Sequence, residues 1–208
     1  MTDIPRVKSP FKSPQERRDE REAKRMAVLT AAVRMFNARG YHATSLDDVA
    51  ASLGVSKPTI YHYLGNKEQV LVECLTIGMD QLLDAADKAR AGLGKGIDRL
   101  RAFLLSYAEV NMEEFGRCNI LTANETLSPD AREKIRLLKR RIHATLEDLV
   151  AEGVADGSIA SCDARFAALT LASALNGPSR WYRPTGPQTP REIANSLVDF
   201  LTAGLAPR

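Results

Sequence analysis

Residues 44–68 read Thr-Ser-Leu-Asp-Asp-Val-Ala-Ala-Ser-Leu-Gly-Val-Ser-Lys-Pro-Thr-Ile-Tyr-His-Tyr-Leu-Gly-Asn-Lys-Glu. The spacing describes two short helices joined by a tight turn. Ser45 caps the first, with Asp48 three residues on as its capping-box partner. Leu46, Val49, Ala50 and Leu53 form one apolar face at helical spacing. Ala50 is small enough for a second helix to cross close by. Gly54 ends the first helix, because glycine enters left-handed backbone geometry without a steric penalty. Val55 fills the turn. Ser56 caps the second helix, and Pro58 sits in its first turn, where no N–H is needed. This is a helix-turn-helix pattern, the arrangement that seats a second helix in the major groove of DNA.

The second helix has the surface chemistry for that role. Ile60 and Leu64 point inward at i, i+4. Lys57, Thr59, Tyr61 and His62 are left on the other faces. A lysine, a hydroxyl, a phenol and an imidazole can all donate to phosphate oxygens or base edges. Tyr63, beside Leu64, divides between core packing and contact.

The stretch from Arg25 to Leu71 resembles the TetR family of bacterial repressors. The resemblance rests on Val28-Leu29-x-Ala31-Ala32, Met35-Phe36, Gly40-Tyr41, Thr44-Ser45 and Asp48-Val49-Ala50. It continues through Leu53-Gly54-Val55-Ser56, Thr59-x-Tyr61 and Lys67-Glu68. Leu64 departs from the pattern, since the family usually has Phe there; leucine fills the same core position with less volume. The resemblance implies an all-α fold: an N-terminal three-helix helix-turn-helix DNA-binding domain, then a C-terminal helical ligand-binding and dimerisation domain. By position, Thr59, Tyr61, Tyr63 and Lys67 are implied to contact phosphate, and Lys57, Pro58 and His62 to contact bases. Ser45 is counted with this DNA-binding set.

Composition agrees with an all-helical reading. Aliphatic residues and alanine are abundant, Gly and Pro fall at junctions, and no strand-like alternation persists. A chain of 208 residues has room for one or two domains and a sizeable core. Residues 1–70 carry 12 Lys/Arg and 8 Asp/Glu, net +4, while the remainder carries 17 and 18, net −1. The basic third suits a polyanionic partner, double-stranded DNA. No run approaches the roughly 18 apolar residues of a membrane span. The N-terminus is polar and Pro-rich, without the hydrophobic core of a signal peptide, so a cytoplasmic protein with no membrane partner is expected.

The three cysteines, Cys74, Cys118 and Cys162, are too widely spaced for a disulfide framework or a zinc motif. No metal site and no cofactor are expected. Glu113-Glu114 is no acid pair, since adjacent helical residues point about 100° apart, and no nucleophile–base motif occurs; an enzyme is not expected. Gly92-Leu93-Gly94-Lys95-Gly96 is a loop, with neither the preceding strand nor the spacing of a phosphate-binding turn.

Three segments follow. Residues 1–18, with Lys8-Ser9-Pro10-Phe11 and Lys12-Ser13-Pro14, read as a disordered basic arm, either a solvated tail or one that touches the DNA backbone or minor groove. Residues 19–66 hold the helix-turn-helix domain, opening with a helix over about 20–39. Residues 67–208 form the ligand-binding and dimerisation domain. Its helices are expected at about 66–91, 97–115, 129–156, 163–176 and 190–205, with 116–128 less regular. On the helix over 129–156, Lys139-Arg140-Arg141 reads as a solvated face and His143 as a surface or structural residue. The helix over 163–176 is apolar or small on almost every face, so it should be buried almost all round. Ile193, Leu197, Phe200, Leu201 and Leu205 stripe the last helix. These two helices, paired with their symmetry copies, make the expected homodimer interface.

The effector site is expected inside residues about 80–183, walled by the helices over 66–91, 97–115, 129–156 and 163–176. Tyr107 and Asn111 lie on the inward stripe of one helix, where Asn111 needs a partner in protein, water or ligand, and Phe115 and Cys118 follow at its end; Trp181 with Arg180 or Arg183 closes the mouth, or the aromatics at 181–182 close the domain against the last helix. The segment Trp-Tyr-Arg-Pro at 181–184 also resembles a TetR subgroup in which several members respond to coenzyme A thioesters. An apolar body with an anionic head, a coenzyme A thioester or a fatty or aromatic acid, suits this lining. The alternative is a thiol-based sensor through Cys118, with Arg117 beside it to stabilise a thiolate.

Overall fold

The computed structural model describes residues 12–207, apart from the side chain of Asn124, and these residues contain helices and no strand. Three helices come first: α1 (Pro14–Arg39), α2 (Leu46–Leu53) and α3 (Lys57–Leu64). A long helix, α4 (Lys67–Arg90), leaves this unit and enters the second, made of α5 (Gly96–Met112), α6 (Glu114–Leu121), α7 (Pro129–Ala155), α8 (Ala164–Asn176), the short α9 (Pro178–Trp181) and α10 (Pro190–Ala203).

Helix α1 starts earlier than the apolar stripe indicates. Ser13 accepts from the Glu16 N–H at 3.1 Å, and Glu16 accepts from the Ser13 N–H at 2.6 Å. That reciprocal cap, with Pro14 in the first position, starts the helix six residues before the expected 20. Lys12 and Lys24 both pair with Glu20 along its surface. Within the arm expected over 1–18, residues 14–18 are therefore helical, and residues 1–11 lie outside those described.

The helix expected over 97–115 is two helices. Helix α5 stops at Met112, Glu113 is extended, and α6 begins at Glu114. Gly116 makes the reversal possible: a Cβ there would collide with the Val110 carbonyl. The break turns α6 back between α4 and α5 and against α1.

Two apolar cores result. Leu29, Val33, Val49, Ile60 and Leu71 centre the first, which also takes in Cys118, Leu127 and Ile135 from far along the chain. Leu100, Phe103, Leu104, Leu146, Leu149 and Leu175 centre the second. Helix α4 supplies Val70, Leu71, Cys74 and Leu75 to the first and Met79, Leu82 and Ala86 to the second. The packing thus divides partway along α4 rather than at the 66/67 junction. Each fully buried leucine stabilises the fold by about 1.5–3 kcal/mol.

Some apolar residues are less enclosed than their spacing suggests. Leu53 and Val55 sit exposed around the α2–α3 turn. Helix α8 buries Ala167, Ala168, Leu171 and Leu175, yet Phe166 is 70% exposed and Leu169 is also exposed. Phe200 on α10 is 80% exposed. Within one chain, then, α8 is not buried all round. Among the described residues no helix is long and apolar enough to cross a membrane.

Candidate functional site

The turn at Gly54 adopts φ 64°, ψ 29°, the left-handed conformation that glycine makes inexpensive. Ser45 and Asp48 cap α2 reciprocally at 3.1 and 3.0 Å. Ser56 occupies the cap position of α3, but its hydroxyl bonds the Thr59 hydroxyl at 2.8 Å rather than a backbone N–H. Ile60 and Leu64 are buried, which fixes the rotation of α3. Lys57, Pro58, Tyr61 and His62 face solvent, and Thr59 is half-buried. Tyr63 is half-buried against the first core and in edge contact with His62 at 5.4 Å, so it packs and is still partly open. Lys57 pairs with Asp47 at 2.9 Å and lies 5.8 Å from the Tyr61 ring centre. Both partners of that pair are solvent-exposed, so a phosphate or base can take over the ammonium at little cost.

Lys67 is held differently. Its ammonium sits 4.2 Å from the Tyr41 ring centre and 3.5 Å from the His42 carbonyl, and partial burial lowers its pKa. A cation held over an aromatic face at the start of α4 is aimed before any partner arrives. Asn66 and Gln69 complete a capping box at the same point.

The two units are tied together. Asn37 of α1 donates to the Glu114 carbonyl at 2.8 Å and to its carboxylate at 3.2 Å, and Arg34 reaches that carboxylate at 3.3 Å. Arg25 pairs with Glu73 across α1 and α4. The Glu68 carboxylate accepts from the Ser128 N–H at 2.8 Å, at the start of α7. Asn119 of α6 donates to the Leu75 carbonyl of α4 at 3.0 Å, and to the Phe115 carbonyl at 3.3 Å. Gly78 leaves room for it, since a Cβ there would stand 2.5 Å from the Asn119 amide nitrogen.

A cavity of about 220 Å³ lies in the second unit, among α4, α5, α6, α7 and α8. Met79, Leu82, Ile120, Ile142, Leu146 and Ala172 supply its apolar wall. Tyr107, Asn111, Asn119, Lys139, His143 and Asn176 supply its polar groups. The Tyr107 hydroxyl and the Asn111 amide both donate to the Asn176 side-chain oxygen, at 3.2 and 3.0 Å. Burial raises the Tyr107 pKa, so the phenol stays protonated at neutral pH. Burial lowers the pKa of Lys139.

Of the expected effector residues, the structure brings Tyr107 and Asn111 to the cavity. Arg180 lines an open groove that shares Asn119, Ile120, Lys139 and Asn176 with it. The other four stand elsewhere. Phe115 packs on the first core, because the break at Glu113 turns α6 away. Cys118 is 1% exposed in that same core, 3.6 Å from the Thr122 hydroxyl. Trp181 is 53% exposed, Arg183 faces solvent, and it is Tyr182 that packs inward. Lys139 is exposed, as expected of the Lys139-Arg140-Arg141 face, and also borders the cavity; His143, expected as a surface or structural residue, is half-buried in its wall. Apolar Ile135, Ile142 and Leu146 dominate the α7 stripe and mask the polar residues beside them. Asn119 and Asn176, also absent from the expected lining, carry the one available signal: polar residues within helices otherwise rich in small and apolar side chains.

The thiol reading fails on geometry. Burial pushes the Cys118 thiol up to about 11, and Arg117 beside it in sequence does not offset this. Cys74 is buried and raised well above the usual range as well. A reactive thiol needs exposure and a lowered pKa. Cys162 is exposed. No group of three or more metal-ligating side chains occurs among the described residues.

Residues 28–74 match the family described as bacterial regulatory proteins, tetR family, and residues 94–205 match the tetracyclin repressor-like C-terminal domain. The TetR family transcriptional regulator PfmR from Thermus thermophilus is 32% identical, with a TM-score of 0.78 over 86% of this chain and 99% of its own. The HTH-type transcriptional repressor KstR2 of Mycolicibacterium smegmatis is 27% identical over 92% of each chain. AibR, solved in complex with isovaleryl coenzyme A and operator DNA, is 26% identical, with a TM-score of 0.74 over 85% of this chain and 97% of its own.

Proposed function

The chain belongs to the TetR family of bacterial regulatory proteins, and from that premise we propose that it is a homodimeric, cytoplasmic transcriptional repressor released from a palindromic operator by a small molecule. The effector is an apolar acid or its coenzyme A thioester. Ser45, Lys57, Pro58, Thr59, Tyr61, His62, Tyr63 and Lys67 make the DNA surface. Lys67 and the hydroxyls hold phosphate, while Lys57, Pro58 and His62 meet base edges. Phosphate contacts set register and affinity, and base contacts set sequence preference.

One observation carries the reading: α4 runs unbroken from Lys67 at the DNA surface to Met79 and Leu82 in the cavity wall. Those ends lie about 22 Å apart at 1.5 Å per residue. A ligand that fills the cavity bears on α4 directly and on α6 through Asn119 and Ile120. Helix α6 is in turn bonded to α1 through Glu114 and Asn37. A shift of either helix changes where the reading heads stand. A dimer must place its two α3 helices about 34–36 Å apart, or a multiple of that, to reach successive major grooves. A ligand that binds better to another spacing draws the population off DNA. The exposed Phe166, Leu169 and Phe200 give the two copies apolar surface to bury. That AibR was solved with both an acyl thioester and operator DNA supports the effector class.

Selection from a random duplex pool, followed by sedimentation of the complex, tests this. The expected result is an inverted repeat bound by an even number of chains. Recovery of sequences with no shared pattern, or a folded monomer at micromolar concentration, refutes it.

A further inference from the structure

Apart from the effector cavity and independently of it, we infer that the groove behind the α5–α6 break is a second ligand site, for a small zwitterion with an apolar side chain, the α-amino acid class. This groove is walled by α1, α4, the end of α5, α6 and the segment between α9 and α10. It shares no lining residue with the cavity. The two lie on either side of α5, whose neighbouring residues Asn111 and Met112 line one each.

A close helix crossing builds it. At Gly78 a Cβ would stand 2.6 Å from the Phe115 carbonyl oxygen, so α4 and α6 all but touch there. Gln81 is three residues further along α4, on the next turn of the same face. Gln81 and Arg117 of α6 both line the groove beside that crossing. The Gln81 Oε1 and the Arg117 Nε are buried with no hydrogen-bond partner among the described residues. One is an acceptor and the other a donor, and each carries a desolvation cost that a matching ligand atom removes.

The charges tell the same story. Glu113, Glu114 and Arg117 are the charged residues of the lining. Glu114 is held by Arg34 and Asn37 of α1. Among the described residues Glu113 and Arg117 form no ion pair, with each other or elsewhere. They are four residues apart, the spacing of a helical pair, but Glu113 stands outside α6 in extended backbone at φ −78°, ψ 165°. Partial desolvation raises the Glu113 pKa, and so does Glu109, which is itself paired with Arg191. A carboxylate and a guanidinium therefore border one groove, and nothing in the chain answers either. A ligand ammonium answers Glu113 and the Gln81 oxygen. A ligand carboxylate answers Arg117, whose planar fork matches its two oxygens. A singly charged ligand satisfies one side and leaves the other. Met112, Phe115, Tyr182, Pro184 and Pro190 supply apolar surface for a side chain. Thr30 of α1 also lines the groove, so the occupant touches both units.

Calorimetric titration of the full-length protein with L-phenylalanine, hydrocinnamate and phenethylamine tests the site, because the three share a ring and differ in charge. L-Phenylalanine is expected to bind at least about tenfold tighter than either singly charged analogue. It is also expected to raise the melting temperature. Glu113→Gln, at an exposed position, should lower L-phenylalanine to the affinity of hydrocinnamate. Arg117→Leu should lower it to that of phenethylamine, with circular dichroism reporting that each variant is folded. Hexanoate, an acid suited to the cavity, should displace none of it. Either analogue binding as tightly as L-phenylalanine overturns the zwitterion. Full affinity in Glu113→Gln, or displacement by hexanoate, overturns the placement. No binding of L-phenylalanine, L-leucine or L-methionine at millimolar concentration overturns the site altogether. None of these results bears on operator release by a ligand of the cavity.

Discussion

The surface of α3 and the cavity behind α4 treat their polar groups in opposite ways. On α3, Lys57, Tyr61 and His62 stand in water, and the one ion pair among them is exposed and readily exchanged. In the cavity, Tyr107, Asn111 and Asn176 bond one another, Asn119 is spent on two backbone carbonyls, and Lys139 is left with its charge partly desolvated. A reading head of the first kind is ready before its partner arrives. If a ligand enters a site of the second kind as proposed, its polar groups compete with those bonds, and that competition is what a switch requires. The two meet in α4, which contributes to both cores.

The largest expected effect tests whether the shared helix makes one cooperative body. Phe103 is fully buried in the second core, and Phe103→Ala should cost about 3–5 kcal/mol by denaturant unfolding. A single transition shifted to lower denaturant is expected. Separate transitions for the two cores would break the idea that α4 couples them.

A pair of glycines sharpens the contrast next. Gly116 backs onto the Val110 carbonyl, so Gly116→Ala forces backbone apart and should cost about 3 kcal/mol. At Gly54 an added methyl would meet nothing within 4 Å; only the positive φ resists it, and Gly54→Ala should cost about 1–2 kcal/mol. Thermal melts of the two variants give the order, and a reversed order would contradict the role given to the α5–α6 break.

On the DNA surface the effects are smaller and differ in kind. Lys57→Ala or His62→Ala should change which base is preferred, by about 1–3 kcal/mol at the affected position in binding-site selection. Lys67→Ala should weaken all sequences alike and make the salt slope shallower by about 1. An unchanged preference in the first pair places those residues on backbone only, and an unchanged slope in the third removes Lys67 from the contact set.

The smallest expected effect is none at all. Cys118 is buried, with its thiol pushed up to about 11, so it is protonated at neutral pH. Alkylation of the native protein should modify Cys162 and spare Cys118, with operator affinity independent of reductant. Loss of DNA binding on mild oxidation, traced to Cys118, would restore the thiol mechanism.

The helix-turn-helix is legible in the sequence because its signals are local. The cap at Ser45, the turn at Gly54 and the buried pair Ile60 and Leu64 all fall within 20 consecutive residues. The ends of most long helices are legible for the same reason. Helix α1 is one exception, because Ser13 and Glu16 form its cap in a segment whose composition reads as unfolded, and the end of α5 at Met112 is another. The cavity is built from residues between Met79 and Asn176 that meet only in three dimensions. Periodicity puts Tyr107 and Asn111 on one stripe of α5, and both line the cavity. The same periodicity runs the lining on through Phe115 and Cys118, because nothing in it marks the reversal at Gly116. It does not show that exposed Lys139 and half-buried His143 border the cavity, because a charged run carries no mark of a void beside it.

Filling the cavity should empty the DNA surface, and the proposed function turns on that coupling. Operator release can be followed by fluorescence anisotropy while hexanoyl-CoA is titrated into the preformed complex. Occupancy is followed in parallel by the rise in melting temperature that a ligand of the folded state produces. Release is expected to track occupancy, and Lys139→Met to shift both to higher ligand concentration together. A cavity filled to saturation while the operator stays bound with unchanged affinity would contradict the coupling.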